Sequence, residues 1–345
     1  MKKILHILSS NSFSGAENVV CQIISMFSNS TEYKMIYCCP EGVIEETLRG
    51  KKFEYILIPK MSVKEVKKAI KIIKPDIIHA HDMRASLISA LACGKRKLIS
   101  HIHNNSEKSQ KLTIRSISYL YAALKADKII WVSNSACEQY YFSNIVKNKS
   151  IILYNVIDIK EVKEKIKEDS TNYNYDLIYL GRLTYQKNPI RLIEVLKEVV
   201  NRIPETKIAI VGTGEDEKKV KEKISEYGLN NNIDMLGYMS NPYKVLDDSK
   251  ILIMTSRWEG TPMCALEALA LGKIIVSTPA DGLKEIVIEG ETGFLRRNNN
   301  ELVEKICDIL ENPEMVMKMS NIAIKRAKEY NSIGTYRCKL EDIYQ

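Results

Sequence analysis

The sequence predicts an α/β protein built from two doubly wound domains, each a parallel sheet covered by helices on both faces, and three observations carry that prediction. Short apolar runs alternate with amphipathic segments along nearly the whole chain. One charged and polar stretch after residue 158 interrupts the series. At 345 residues the chain is also too long for a usual single core and about right for two.

In chain order, strands are expected at 3–10, 35–39, 55–58, 76–81, 97–103, 128–133 and 150–154. Between them, segments such as 65–74 and 113–125 carry apolar residues at helical spacing and supply crossover helices. The interruption covers 160–169, which is charged, and 170–175, which is polar. A second series of strands follows at 176–180, 207–211, 233–236, 251–255 and 273–277. The expected domains are therefore 1–158 and 159–330, with 331–345 a terminal helix returning to the first. Ligands of such sheets sit beyond the carboxyl ends of the strands, so two facing domains would hold theirs in an interdomain cleft.

Composition narrows the function. Hydrophobic residues make up 45% and charged residues 27%, the balance of a packed globular protein. Lys2 and Lys3 precede an apolar run of five residues that includes His6, too short for a signal peptide, and no later run reaches the ~20 residues that cross a bilayer. A cytoplasmic protein is expected. The eight cysteines lie scattered without C-x-x-C spacing, which predicts neither zinc site nor disulfide framework. Residues 1–158 hold 23 Lys and Arg against 13 Asp and Glu, a surplus of ten, while the remainder is slightly acidic. Such asymmetry suits either a solvated lysine-rich face or docking onto an anionic surface, whether lipid phosphate, nucleic acid or membrane, the last giving peripheral contact at the inner face of the cell membrane. Nucleic acid is not expected, because the basic segments lack interleaved aromatics and no recognition module is present.

The segment 251–272 carries the most chemistry. A buried strand runs into a loop holding Glu259, and a helix is expected to begin near Thr261 with Pro262 at its first position. The amides of Met263, Cys264 and Ala265 would then face outward at the positive end of the helix dipole, a site suited to a diphosphate. Glu267 follows one turn beyond Met263, so one carboxylate reaches toward the sugar side and the other toward the ribose side. A second cluster, Gly181-Arg-Leu-Thr-Tyr-Gln-Lys-Asn188, lies between a strand and the helix from Pro189. Its Arg182 and Lys187 would neutralise a departing diphosphate. Near the amino terminus, Gly15 in Ser14-Gly-Ala-Glu17 opens a helix and permits close approach of backbone to a ligand. His79, His81, His101 and His103 alternate at two strand ends. No carboxylate or cysteine completes a metal-ligand set around them, so neither metal nor cofactor is expected.

These residues resemble glycosyltransferase family 4, the retaining enzymes of the GT-B fold. The resemblance rests on Glu259-Gly-Thr-Pro-Met-Cys-Ala-Leu-Glu267 after Thr255-Ser-Arg-Trp258, on Gly181 to Asn188, and on Val211-Gly-Thr-Gly-Glu215. Ser14-Gly-Ala-Glu17, the His79-Ala-His81 strand, Asn155-Val-Ile-Asp158 and Glu291-Thr-Gly-Phe294 fall in the same order. It implies that Arg182 and Lys187 grip the donor diphosphate, Glu267 holds the ribose, Glu259 contacts the donor sugar and His103 lies near its anomeric centre or C6 hydroxyl. It also implies a metal-independent front-face displacement, in keeping with the absence of a D-x-D motif. Ser14, Pro262 and Val156 stand where glycines are commoner. The expected activity is transfer of a hexose from a nucleotide diphosphate, a UDP-sugar, to a saccharide or lipid-linked acceptor in capsule or exopolysaccharide synthesis. The competing readings are a nucleotide-sugar epimerase of related architecture and a dinucleotide-binding oxidoreductase. Against the second, Gly212-Thr-Gly-Glu215 lacks a third glycine.

Overall fold

The computed structural model describes residues 1–104 and 106–345. It divides into two compact units, Met1–Val156 with Ile333–Gln345, and Ile157–Ser332.

The first unit is built on seven parallel strands: β1 (Lys2–Leu8), β2 (Tyr33–Pro40), β3 (Tyr55–Ile58), β4 (Ile77–His81), β5 (Lys97–Ile102), β6 (Lys128–Trp131) and β7 (Ser150–Ile152). Their order is β3-β2-β1-β4-β5-β6-β7. The central strands are buried along almost their whole length, β4 at every residue, because helices cover both faces. The crossover helices form where local signals agree. Ser62 caps Val63–Ile73 by accepting the Glu65 amide, and Val66, Ala69 and Ile70 turn inward. Thr113 and Ser116 form a reciprocal capping box on Ile114–Lys125. The terminal helix Ile333–Tyr344 packs in this unit: Tyr344 is fully buried against Phe27 and Tyr33, and Arg337 donates to the Met26 carbonyl at 3.0 Å.

The second unit holds six parallel strands: β8 (Tyr175–Leu180), β9 (Ile208–Val211), β10 (Ile233–Gly237), β11 (Ser249–Met254), β12 (Ile274–Ser277) and β13 (Gly293–Leu295). Their order is β10-β9-β8-β11-β12-β13. β13 has only three residues, too few to show a period in the sequence. The charged stretch after Asp158 is a helix, Ile159–Lys167, capped by the Asp158 carboxylate, which accepts the Lys160 and Glu161 amides at 2.9 and 3.1 Å. Among the described residues no helix is long and apolar enough to cross a membrane.

Loops at the carboxyl ends of β8 and β9 interlock through glycine. Gly212 has a φ of +133°, and a Cβ there would lie 2.0 Å from the Gly181 carbonyl oxygen; a Cβ at Gly214 would lie 2.3 Å from that of Leu183. Gly181 donates to Val211 and Leu183 to Thr213, at 3.0 and 2.9 Å. Gly212 and Gly214 are thus required where this loop backs the loop that carries Arg182 and Lys187.

Candidate functional site

Four of the expected residues, Arg182, Lys187, Glu259 and Glu267, belong to the second unit, on loops and a helix that leave the carboxyl ends of β8 and β11. Backbone and side-chain hydrogen bonds stitch these loops together. Arg257 donates its amide to Gln186 at 2.8 Å, Gln186 returns a side-chain bond to the Trp258 carbonyl at 3.1 Å, and the Thr255 hydroxyl donates to the Lys187 and Asn188 carbonyls. The result fixes Lys187 against Glu259 with 2.6 Å between Nζ and Oε1, and the Ser256 hydroxyl donates to the same oxygen at 2.6 Å. Both partners are largely buried. Burial alone would lower Lys187, but the Glu259 carboxylate outweighs it and the ammonium is held above its ordinary value.

Arg182 differs. Its side chain is exposed, its carbonyl is anchored by the Tyr179 hydroxyl at 2.7 Å, and no acidic partner engages its guanidinium among the described residues. Its positive charge works against protonation of Lys187, so the two cations sit within electrostatic reach of each other.

The helix after Glu259 starts one residue later than expected. It runs Met263–Ala270, with Pro262 as the extended cap rather than the first helical residue and with no side-chain cap. The first turn is tight: the Ala265 amide donates to the Pro262 carbonyl at 3.1 Å. Ala265 is therefore not a free donor, which corrects the expectation of three outward amides. The Met263 and Cys264 amides find no acceptor among the described residues and keep the anion-binding character of a helix start.

Glu267 is buried on the first turn and a half of that helix, where the Tyr243 hydroxyl donates to Oε1 at 3.3 Å. Burial raises its pKa from the ordinary 4.5 to about 7, against the opposing pull of Tyr243 and Lys165. Tyr243 escaped the sequence reading because nothing local to 238–248 marks it; it reaches the site by packing.

Gly15 and His103 belong to the first unit. Gly15 is the first residue of the helix Gly15–Met26, whose cap Ser14 turns its hydroxyl to the buried Glu17. His103 ends a row of imidazoles that contains every histidine in the protein. In-register pairing of His6 with His79 and of His81 with His101 places them on one sheet face, and alternation along β4 and β5 adds the rest. His103 Nε2 lies 3.0 Å from His81 Nδ1, His81 Nε2 lies 3.0 Å from His6 Nδ1, and His6 Nε2 lies 3.4 Å from Met35 Sδ. His79 Nδ1 meets the Tyr344 hydroxyl at 2.9 Å. His6, distant from the others in sequence, carried no signal of this role.

Two triads in the row, His6-His79-His81 and His81-His101-His103, have ring nitrogens within 4.8 Å of one another. The rings nevertheless stack: His79 on His81 and His101 on His103 at 4.2 Å, with interplanar angles of 26° and 29°. Stacked rings direct their in-plane lone pairs side by side, whereas tetrahedral coordination needs them to converge. His6, His81 and His103 are joined by hydrogen bonds, while both ring nitrogens of His101 are buried without a partner among the described residues. Burial lowers all five pKa values, His6 and His103 to about 3.

The family model described as Glycosyltransferase Family 4 matches residues 14–161, and that described as Glycosyl transferases group 1 matches residues 159–326. An uncharacterized glycosyltransferase of Methanocaldococcus jannaschii is 33% identical over 258 residues, 67% of this chain. The chain spans 63% of that relative's length. The UDP-Gal:alpha-D-GlcNAc-diphosphoundecaprenol alpha-1,3-galactosyltransferase of Escherichia coli is 23% identical, covering 99% of this chain and 96% of its own. Among solved structures, HepE of Anabaena in complex with UDP-glucose superposes with a TM-score of 0.87 at 19% identity, covering 100% of this chain and 99% of that one. Its likeness establishes the fold, two Rossmann-like domains of the GT-B type.

Proposed function

The chain belongs to glycosyltransferase family 4, and from that premise we propose that it transfers a hexose from a UDP-sugar, with retention at the anomeric carbon, to a saccharide or lipid-linked acceptor in surface-glycan assembly. The observation that carries this reading is the pairing of Lys187 with Glu259 beside the unpaired Arg182 and the free Met263 and Cys264 amides. As the bond between the anomeric carbon and the diphosphate breaks, negative charge gathers on the leaving phosphate. Arg182, Lys187 and the two amides meet that charge without having to reorganise. Glu259 orients Lys187 and contacts the sugar, and Glu267 accepts the ribose hydroxyls. The UDP-galactose named for the Escherichia coli relative supports the nucleotide, and its diphosphoundecaprenol acceptor supports the lipid-linked class.

A screen of nucleotide sugars for thermal stabilisation, followed by hydrolysis assays, tests the reading. UDP-sugars are expected to raise the unfolding midpoint, and Glu267→Ala to abolish the rise. Stabilisation by no nucleotide sugar, or an undiminished rise in Glu267→Ala, would overturn it.

The environment of Glu267 adds a pH dependence. Two ribose hydroxyls are held best by an ionised carboxylate, and burial raises Glu267 to about 7. UDP affinity should rise from pH 6 to pH 8, with up to about tenfold lost per unit below 7. The stability linkage has the opposite sign: with the carboxyl raised from 4.5 to about 7, stability falls as pH rises from 4.5 through about 7, by about 3 kcal/mol in all, and stays lost above it. Glu267→Gln is therefore expected to bind UDP more weakly with a flat pH profile while melting higher at pH 8. Calorimetric titration and melting curves of both proteins check the two signs.

A further inference from the structure

Two arginines of the second unit, Arg191 and Arg257, meet no carboxylate among the described residues, yet both are fixed in place. Arg191 donates Nε to the Asn299 side-chain oxygen at 2.8 Å and Nη2 to the Arg297 carbonyl. Arg257 donates Nε to the Tyr185 carbonyl at 3.1 Å and Nη2 to the Asn188 side-chain oxygen at 3.0 Å, with its guanidinium carbon 4.3 Å from the centre of the Tyr185 ring. Asn188 is the cap of the helix Pro189–Arg202, but its side chain makes no cap hydrogen bond and holds Arg257 instead. All four acceptors are neutral, so the two cations are positioned without being neutralised. Burial lowers Arg191 below its ordinary value; Glu194 opposes this and the Arg257 charge adds to it.

Both guanidiniums line one cavity of about 500 Å³ beside the starts of the helices Pro189–Arg202 and Asn299–Leu310, and none of Arg182, Lys187, Glu259 and Glu267 lines it. The separation has a topological cause. The steps from β8 to β9 and from β11 to β12 run in opposite directions across the sheet, so right-handed crossovers place Pro189–Arg202 on one face and Met263–Ala270 on the other. The charges of the lining select the ligand. Lys219 also lines the cavity but is taken by Asp216 at 2.7 Å, which leaves the two arginines against Glu194. Forked N–H donors suit one phosphate group. The carboxylates oppose a second, which disfavours diphosphates and triphosphates. With the amides of Asn188 and Asn299 they instead supply acceptors and donors for hydroxyls. The volume exceeds that of a bare phosphate and lies in the range of small-molecule sites. We propose that this cavity binds a hexose phosphate, its phosphate between Arg191 and Arg257 and its hydroxyls against Asn188, Asn299 and Glu194. It is a second ligand site, independent of the donor reading.

Calorimetric titration of glucose 6-phosphate into the full chain, with no nucleotide present, tests the proposal. Binding is expected, at least about tenfold tighter than that of inorganic phosphate, because the sugar hydroxyls add hydrogen bonds. Arg191→Gln should weaken it about tenfold or more by removing one charged fork, while the thermal rise with UDP is kept. Arg191→Lys, which keeps the charge without the fork, should lose about threefold, so a folding defect in Arg191→Gln leaves the test standing. Arg182→Ala, at the donor site, should change the affinity by less than about twofold. Absence of binding would overturn the inference, as would equal affinity for inorganic phosphate. So would a loss in Arg182→Ala as large as that in the Arg191 variants, which would assign the anion to the donor site.

Discussion

Replacing Lys187 with alanine is expected to cut kcat/KM with a UDP-sugar about 100- to 1,000-fold, the usual loss when one preorganised donor to a developing negative charge is removed. The same change strands Glu259, which among the described residues keeps the Ser256 hydroxyl as its side-chain partner in a largely buried position. Breaking such a pair from one side typically costs about 3–5 kcal/mol of stability, so loss of activity alone would be ambiguous. The pair of variants Lys187→Ala and Lys187→Ala/Glu259→Gln separates the causes. Neutralising the stranded carboxylate should restore most of the melting temperature and none of the turnover. Recovery of turnover in the double variant would show that Lys187 acts only as a prop for Glu259.

Mild acid is expected to unfold the protein, and the histidine row is the cause. Each imidazole has an unfolded value of 6.5 and a folded value pushed well below it, first by burial and then, for His79, His81 and His101, by its neighbours. Depressed values on a base mean that the unfolded chain binds more protons below pH 6.5. The sign is therefore a loss of stability as pH falls from 6.5 toward 3, at about 1.4 kcal/mol per pH unit for each histidine that is charged only when unfolded. Five such groups make the slope steep. Urea midpoints between pH 7.5 and 5 measure it, and a flat profile would contradict the buried, neutral row. His101, whose two ring nitrogens have no hydrogen-bond partner, gives an internal control. His101→Leu should remove one proton from the slope and raise stability at pH 5.5, since it deletes unpaired buried polar atoms.

Much of this architecture is legible in the sequence because parallel strands buried on both faces are nearly uninterrupted apolar runs. β3 begins and ends where its apolar run does, Tyr55–Ile58, and the helix from Pro189 starts at its proline. Legibility fails where geometry replaces pattern. Pro262 suits a first helical position as readily as a cap, and only its extended ψ of 124° shows which it takes. The tight first turn that occupies the Ala265 amide is likewise invisible. Within the candidate site, Arg182, Lys187, Glu259 and Glu267 announce themselves through local motifs. Tyr243 and Ser256 do not, because their importance lies in what they reach across the fold. The pairing of Lys187 with Glu259 spans 72 positions, and the hydrogen bonds that join the loops after β8 and β11 hold it in place.

The imidazole row also fixes where protons reside. Three of its rings, His103, His81 and His6, run head to tail, each offering Nε2 to the next acceptor, and the relay ends on the Met35 thioether. A methionine sulfur can accept but never donate, so His6 must carry its hydrogen on Nε2. That leaves His6 Nδ1 as an acceptor, which obliges His81 to protonate Nε2, and His103 in turn. The tautomer of His103 is thus decided at Met35, three strands along the sheet, and its Nδ1 is a bare lone pair. Whatever group meets that nitrogen must bring the hydrogen itself, as a hydroxyl does.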